Sequence, residues 1–259
     1  MSSKIYHREQ GGGTPLVLVH GFPLDGRIFD DQLAGLSSRY RVIVPDLPGF
    51  GSSRPVDVAN MTMQSLAGQL HAFLKSINAL PCVLGGLSMG GYVALPFVRS
   101  FPADVVALLL IDTRSDADND EGRTNRDRMI EAAQARGMGA VVEMMFGKML
   151  AQSTVHQRPD IAKKLKQIME SQSVETVCAA LKAMRDREEF TPILPTIRTP
   201  TVVMVGEHDA ITPPAGAEKM RSALPRSWMA TIEGAGHVCT MEQPAKVNAA
   251  IMRVLDEIK

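Results

Sequence analysis

The chain lacks most of the features that would commit it to a special environment. Its three cysteines, Cys82, Cys178 and Cys239, are odd in number and widely spaced, which argues against a disulfide framework and against a zinc site. It has no excess charge of either sign, with 28 Lys and Arg against 28 Asp and Glu, so nothing in it recruits nucleic acid or an anionic membrane surface. Long apolar runs are missing too. The longest, Val105 to Ile111, is far too short to span a bilayer. Met1 to Glu9 contain no apolar region of the kind a secretion signal needs. Neither an internal repeat nor a low-complexity segment stands out. What remains is an ordinary soluble globular protein of 259 residues, able to bury a full core in one domain with an inserted subdomain, and expected in the cytoplasm.

The apolar pattern then alternates between strand and helix. A short strand is expected from Lys4 to Arg8, ended by Gln10 and the glycines Gly11 to Gly13. Leu16 to His20 reads as a buried strand, followed by a helix around Phe29 to Leu36 and a second buried strand from Arg41 to Asp46. Thr62 is placed to cap a helix whose Leu66, Leu70, Phe73, Leu74 and Ile77 share one face. Further strands follow at Cys82 to Leu84, Val105 to Asp112, Thr201 to Gly206 and Trp228 to Ile232. A last helix starts at Pro244 and presents Val247, Ile251, Leu255 and Ile258 on one side. Strands alternating with helices predict an α/β architecture with a parallel sheet covered on both faces.

From Thr113 to about Phe190 no strand pattern occurs, and helical segments are expected near Thr124–Arg136, Met138–Leu150, Pro159–Ser171 and Val174–Arg187, with Ser173 capping the last. An all-helical insertion between two strands reads as a cap over the sheet's C-terminal edge. The expected division is therefore a core of residues 1–113 and 191–259 and a cap of residues 114–190. The cap is rich in methionine (Met129, Met138, Met144, Met145, Met149, Met169, Met184), which reads first as gap-filling core and second as a soft wall for an apolar substrate group.

The most informative stretch is Gly85-Gly86-Leu87-Ser88-Met89-Gly90-Gly91, set between a short apolar strand and a helical pattern. A strand that turns directly into a helix at Gly-x-Ser-x-Gly exposes the serine hydroxyl at the sheet edge and points free backbone N–H groups at its target. Taken alone the pentapeptide occurs by chance in glycine-rich chains. Its partners lie downstream: Asp209 follows the Thr201–Gly206 strand, and His237 follows the Trp228–Ile232 strand. In an open α/β sheet such strand ends line one edge, where residues distant in sequence converge. A serine hydroxyl needs a base to take its proton, a neutral imidazole can be that base, and a carboxylate fixes the imidazole's tautomer.

With these residues the chain resembles the α/β-hydrolase superfamily, in which the order is serine, acid, histidine. The resemblance rests on His20-Gly21-Phe22-Pro23, Asp46-Leu47-Pro48-Gly49-Phe50-Gly51-Ser52-Ser53, the Ser88 turn, Gly206-Glu207-His208-Asp209 and Gly234-Ala235-Gly236-His237, and so runs from residue 16 to the C-terminus. Within the superfamily the chain is similar to small carboxylesterases and enol-lactonases of the 3-oxoadipate enol-lactonase type. The resemblance implies the α/β-hydrolase fold, a catalytic Ser88, Asp209 and His237, and an oxyanion hole made by the backbone N–H groups of Phe22 and Met89. It implies hydrolysis of a carboxylic ester through an acyl-enzyme, with no cofactor and no metal, and the apolar, methionine-rich cap favours a small to medium apolar ester. Lactone or enol-lactone hydrolysis, carbon–carbon bond hydrolysis and perhydrolysis on the same residues are the alternatives, and a non-catalytic ligand receptor is a more distant one. The expected partner is a small ester or lactone, with neither nucleic acid nor membrane; no motif names the substrate-binding residues or the oligomeric state.

Other polar residues are assigned structural work. His20 is expected behind the oxyanion loop, Asp46 in its own turn, and His208 on the far side of the chain from Asp209. Asp112 ends a neighbouring strand and rivals Asp209, which holds the family's position for the acid. Asp116, Asp118, Asp120 and Glu121 read as a solvated acidic patch at a helix entry. Cys239 reads as a small buried hydrophobe near His237. Two departures from the family are visible: room for only one strand before Leu16, which shortens the sheet by a strand, and Pro96 inside the helix after Ser88, where a kink is expected.

Overall fold

A computed structural model of the chain describes residues 5–54 and 57–257. Lys4 and Ile258, which the sequence pattern puts in the first strand and on the last helix's apolar face, lie outside the described residues.

The strands are β1 (His7–Gln10), β2 (Pro15–Val19), β3 (Arg41–Pro45), β4 (Cys82–Leu87), β5 (Val105–Ile111), β6 (Thr201–Gly206) and β7 (Ser227–Ile232). They form one seven-stranded sheet in the order β1-β3-β2-β4-β5-β6-β7. β1 pairs antiparallel with β3, and the other neighbours run parallel. Among the described residues a single antiparallel strand, β1, precedes the parallel set.

The central strands read as unbroken apolar runs because both faces are covered. In β2, Leu16 and Leu18 enter one core, with Leu36, Val247 and Ile251, whereas Val17 and Val19 enter the other, with Leu66, Leu70, Val93 and Phe97. The period-two alternation of a strand sends successive side chains to opposite faces, so each strand feeds both layers.

The helices are α1 (Asp30–Leu36), α2 (Met63–Ser76), α3 (Met89–Ser100), α4 (Asp120–Arg136), α5 (Met138–Met145), α6 (Gln152–Gln157), α7 (Pro159–Glu170), α8 (Val174–Arg185), α9 (Pro214–Ala223), α10 (Cys239–Glu242) and α11 (Pro244–Glu257). Thr62 and Ser65 form a reciprocal capping box at the start of α2, and Ser173 accepts the N–H of Thr176 at the start of α8. α3 continues through Pro96 to Ser100.

The insertion between β5 and β6 is helical, with two differences in detail from the sequence pattern. α4 starts earlier than Thr124, at Asp120, because Asn119 Oδ1 accepts the N–H of Gly122 and caps it. The segment expected from Met138 to Leu150 stops at Met145, passes through a 3₁₀ turn at Phe146–Lys148, and leads to the short α6. Of the methionines, Met138, Met149, Met169 and Met184 are buried in the cores, which favours the gap-filling role, while Met144 is exposed. α7 and α8 each dock into a core shared with the sheet layers, through Leu165 and Ile168 on one side and Val177 and Leu181 on the other.

Candidate active site

Ser88 stands between β4 and α3 with φ 53° and ψ −114°, a backbone conformation rare outside glycine. The turn is held by the Ser88 N–H donating to Ile111 C=O at 2.9 Å and by Thr113 Oγ1 donating to Ser88 C=O at 2.7 Å. It also depends on two glycines. A Cβ on Gly86 would sit 2.3 Å from the Gly90 carbonyl oxygen, and one on Gly90 would sit 2.2 Å from that of Val19. The motif spacing is therefore a steric requirement of this turn.

Asp209 and His237 arrive from the ends of β6 and β7. His237 Nε2 lies 2.9 Å from Ser88 Oγ, and His237 Nδ1 lies 2.9 Å from Asp209 Oδ2. Asp209 is fixed in turn by the N–H groups of Ile211 and Thr212 at its Oδ1 and by the Thr212 hydroxyl at its Oδ2, 2.6 Å away. A carboxylate can only accept, so the proton sits on Nδ1 and the Nε2 lone pair faces the serine hydroxyl. His237 is 1% exposed and Ser88 8% exposed, so the contact is shielded from bulk water.

The electrostatics follow from this geometry. Burial alone would push the His237 imidazole down, but the charge and hydrogen bond of Asp209, then the charge of Asp112, outweigh it and hold the imidazole above its ordinary value. Burial would push Asp209 up; His237 and the Thr212 hydrogen bonds prevail and keep it below the usual carboxylate range.

Met89 is the first residue of α3, where a backbone N–H has no intrahelical acceptor and the helix dipole favours an anion. The loop carrying Phe22 passes directly over the serine, since a Cβ on Gly21 would come 3.1 Å from Ser88 Cβ. The two N–H groups expected to hold an oxyanion thus belong to the first turn of α3 and to the loop that borders Ser88.

The remaining polar residues fall into place around this centre. The fully buried His20 accepts the Leu47 N–H at Nε2 and, with its proton on Nδ1, donates to the Gly21 carbonyl, so it braces the Phe22 loop. Burial keeps it neutral by pushing its pKa down, against the pull of Asp46. Asp46 accepts the N–H groups of Gly26 and Ser52 and organises its own turn. His208 points outward beside Glu207, with its side chain 55% exposed. Asp112 does not hold His237; its Oδ1 accepts the Gly206 N–H at 2.7 Å and its Oδ2 the Cys239 N–H at 3.2 Å. Cys239 is buried, and burial followed by the Asp112 charge raises its thiol well above the ordinary range.

One expectation needs correction. Asp118 does not belong to a solvated patch: its side chain is 6% exposed and pairs with Arg126 at 3.0 Å and Arg187 at 2.7 Å. Arg187, itself buried, comes from the far end of the helical insertion and lies over the Tyr92 ring. A charge run looks solvated in sequence until a distant cation folds onto it.

This sheet and strand-end geometry define a hydrolase scaffold, and the comparisons with known proteins agree. The family model described as "Alpha/beta hydrolase family" matches residues 16–250. The chain belongs to the alpha/beta hydrolase family. It is similar to a thermophilic esterase from Thermogutta terrifontis, solved with malate bound, at 38% identity and a TM-score of 0.95, over 98% of this chain and 93% of that one. It is 27% identical to the AB hydrolase superfamily protein YisY of Bacillus subtilis over 258 residues, 95% of this chain and 93% of the relative. The enol-lactonase of Burkholderia xenovorans shares its fold, with a TM-score of 0.88 at 19% identity over 97% of this chain and 96% of that one. The protein is a hydrolase.

Proposed function

We propose that the protein is a serine-dependent carboxylesterase that acts on small to medium apolar esters. The single observation that carries this reading is the continuous hydrogen-bonded chain from Asp209 through His237 to Ser88 Oγ, with both links at 2.9 Å. The likeness to an esterase at 38% identity supports the ester as substrate.

In this reading Ser88 Oγ attacks the ester carbonyl carbon as His237 Nε2 takes the hydroxyl proton. The carbonyl π electrons move onto oxygen, and the N–H groups of Phe22 and Met89 hold that oxyanion. Asp209 keeps the imidazole in the tautomer that can accept at Nε2 and stabilises the imidazolium. The oxyanion collapses, the alcohol leaves with the proton from His237, and an acyl group remains on Ser88. Water, deprotonated by the same imidazole, attacks the acyl-enzyme, and the carboxylic acid leaves as Ser88 regains its proton. The helical residues 114–190 serve as the cap that shapes the acyl pocket, and their apolar composition suits an apolar group.

The test is hydrolysis of p-nitrophenyl esters from acetate to decanoate by the wild type and Ser88→Ala. Turnover with an optimum at short to medium chain length, lost in the variant, is the expected result. Undiminished turnover in Ser88→Ala refutes the assignment.

A further inference from the structure

One short segment touches the loops of all three candidate catalytic residues. Ile111 C=O accepts the Ser88 N–H at 2.9 Å, and Thr113 Oγ1 donates to the Ser88 carbonyl at 2.7 Å. Between them, Asp112 accepts the N–H of Gly206, three residues before Asp209, and the N–H of Cys239, two residues after His237. Asp112 itself has φ 44° and is 0% exposed. A non-glycine residue keeps a left-handed backbone only where its surroundings over-determine it. Among the described residues no Lys or Arg forms an ion pair with this carboxylate, although an unpaired buried charge is costly.

We propose that Asp112 is a positioning residue for His237: its carboxylate ties the Asp209 loop to the His237 loop and turns a second negative charge toward the imidazolium that forms as Ser88 attacks. This rests on reading Ser88 and His237 as nucleophile and base. The cation that balances Asp112 is then transient and belongs to the reaction. A carboxylate with both oxygens held by backbone N–H groups from two different loops cannot reorient without moving one of them, so its charge is fixed in place before the reaction begins.

The surrounding charges set the pH range in which that charge is carried, with the anion favoured above about 7. Burial, then the neighbouring Asp209, push Asp112 up to about 7, opposed by His237, Cys239 and Gly206. The groups acting on His237 are Asp209 from the end of β6, Asp112 from the end of β5, and Arg114 just beyond it, which works the other way. From α10, the Cys239 N–H donates to Asp112, and Glu242 adds negative charge near the Cys239 thiol. Of these, Asp112 alone combines a direct tie to both loops with a charge that favours the protonated imidazole.

The test is a ¹³C-imidazole NMR titration of His237, assigned with His237→Gln, in wild type, Asp112→Asn and Asp112→Ser, alongside kcat and KM on a p-nitrophenyl ester. Serine keeps a small acceptor for Gly206 without setting an amide donor against Cys239. In a folded variant the His237 midpoint is expected to move to lower pH by about half a pH unit or more, the change expected on losing a nearby opposite charge. kcat is expected to fall roughly tenfold with KM within about twofold, the pattern of an interaction made in the transition state. An unmoved midpoint overturns the proposal whatever the activity, because a purely structural carboxylate would lower stability and leave His237 titrating as before. Failure of both variants to fold overturns it as well, since the carboxylate would then serve folding. The titration separates this proposal from the esterase reading: an inactive wild type, or an active Ser88→Ala, refutes the latter while the midpoint still reports on the former.

Discussion

Glu242 Oε1 accepts the N–H of Gly236, the residue before His237, at 2.7 Å, while its Oε2 accepts the Ala151 N–H and the Thr154 hydroxyl from the helical insertion. A buried carboxylate thus joins the loop that carries the candidate base to the segment above it. Burial raises its pKa, against the pull of Thr154, Ala151, Gly236 and Val238. Glu242→Gln sets an amide donor against at least one of these N–H or O–H groups. Thermal unfolding is expected to show a loss of about 1–3 kcal/mol, the cost of an unsatisfied buried group. An unchanged Tm would contradict the bridging role.

Asp209→Asn keeps the shape of the acid and removes its charge. With the amide oxygen accepting from Ile211 and Thr212, the amide NH₂ faces His237 Nδ1 and selects the tautomer that is protonated at Nε2. That imidazole cannot take the Ser88 proton, and kcat is expected to fall by about ten-thousand-fold. A loss of less than tenfold in steady-state assays would mean that another carboxylate, with Asp112 the nearest candidate, does this work.

The pH dependence of activity and of stability have different sources. In the proposed mechanism activity needs neutral His237, whose pKa is held above the ordinary 6.5, so kcat/KM is expected to rise with a midpoint above 6.5. For stability, Asp112 moves from 3.8 in the unfolded chain to about 7 in the folded one. A raised carboxylate pKa means the folded state binds the extra proton, so this contribution is complete below 3.8 and is lost as pH rises toward about 7. Relative to wild type, Asp112→Asn should therefore gain stability as pH rises across that window, in urea titrations at several pH values. A constant difference would contradict the raised value.

Arg187 holds the insertion to α3. Its guanidinium pairs with Asp118 at 2.7 Å, donates to the carbonyls of Met184 and Asp116, and lies 4.4 Å from the Tyr92 ring centroid. Breaking a buried pair costs about 3–5 kcal/mol, and Asp118 keeps Arg126, so Arg187→Gln is expected near or below the lower end of that range. Chemical denaturation measures it, and a change within about 0.5 kcal/mol, typical of surface substitutions, would contradict the latch.

The sheet was legible because its strands are buried on both faces and stand out as apolar runs, as with Leu16 to Val19 and Val105 to Ile111. The candidate site was legible because its turn chemistry is local: Gly86, Ser88 and Gly90 must occur at that spacing for the chain to pass. Helix α6 has no sequence signature, because Gln152 to Gln157 carry no apolar period and its position depends on Glu242 far along the chain. α9 and α10 lie in stretches where glycine, proline or a short length hides the period. Asp112, Thr113 and Glu242 act through backbone groups of other loops, and no pattern in their own neighbourhoods marks that. Their contribution exists only once the strand ends have met.

The central claim is that Ser88 forms a covalent acyl-enzyme. Its most direct test is intact-mass and peptide mass spectrometry after treatment with a fluorophosphonate, which phosphonylates an activated serine and cannot be turned over. One adduct per chain on the peptide containing Ser88, absent in Ser88→Ala and much slower to form in His237→Gln, is the predicted result. An esterase-active protein that stays unmodified, or carries the adduct on another residue, would contradict the account.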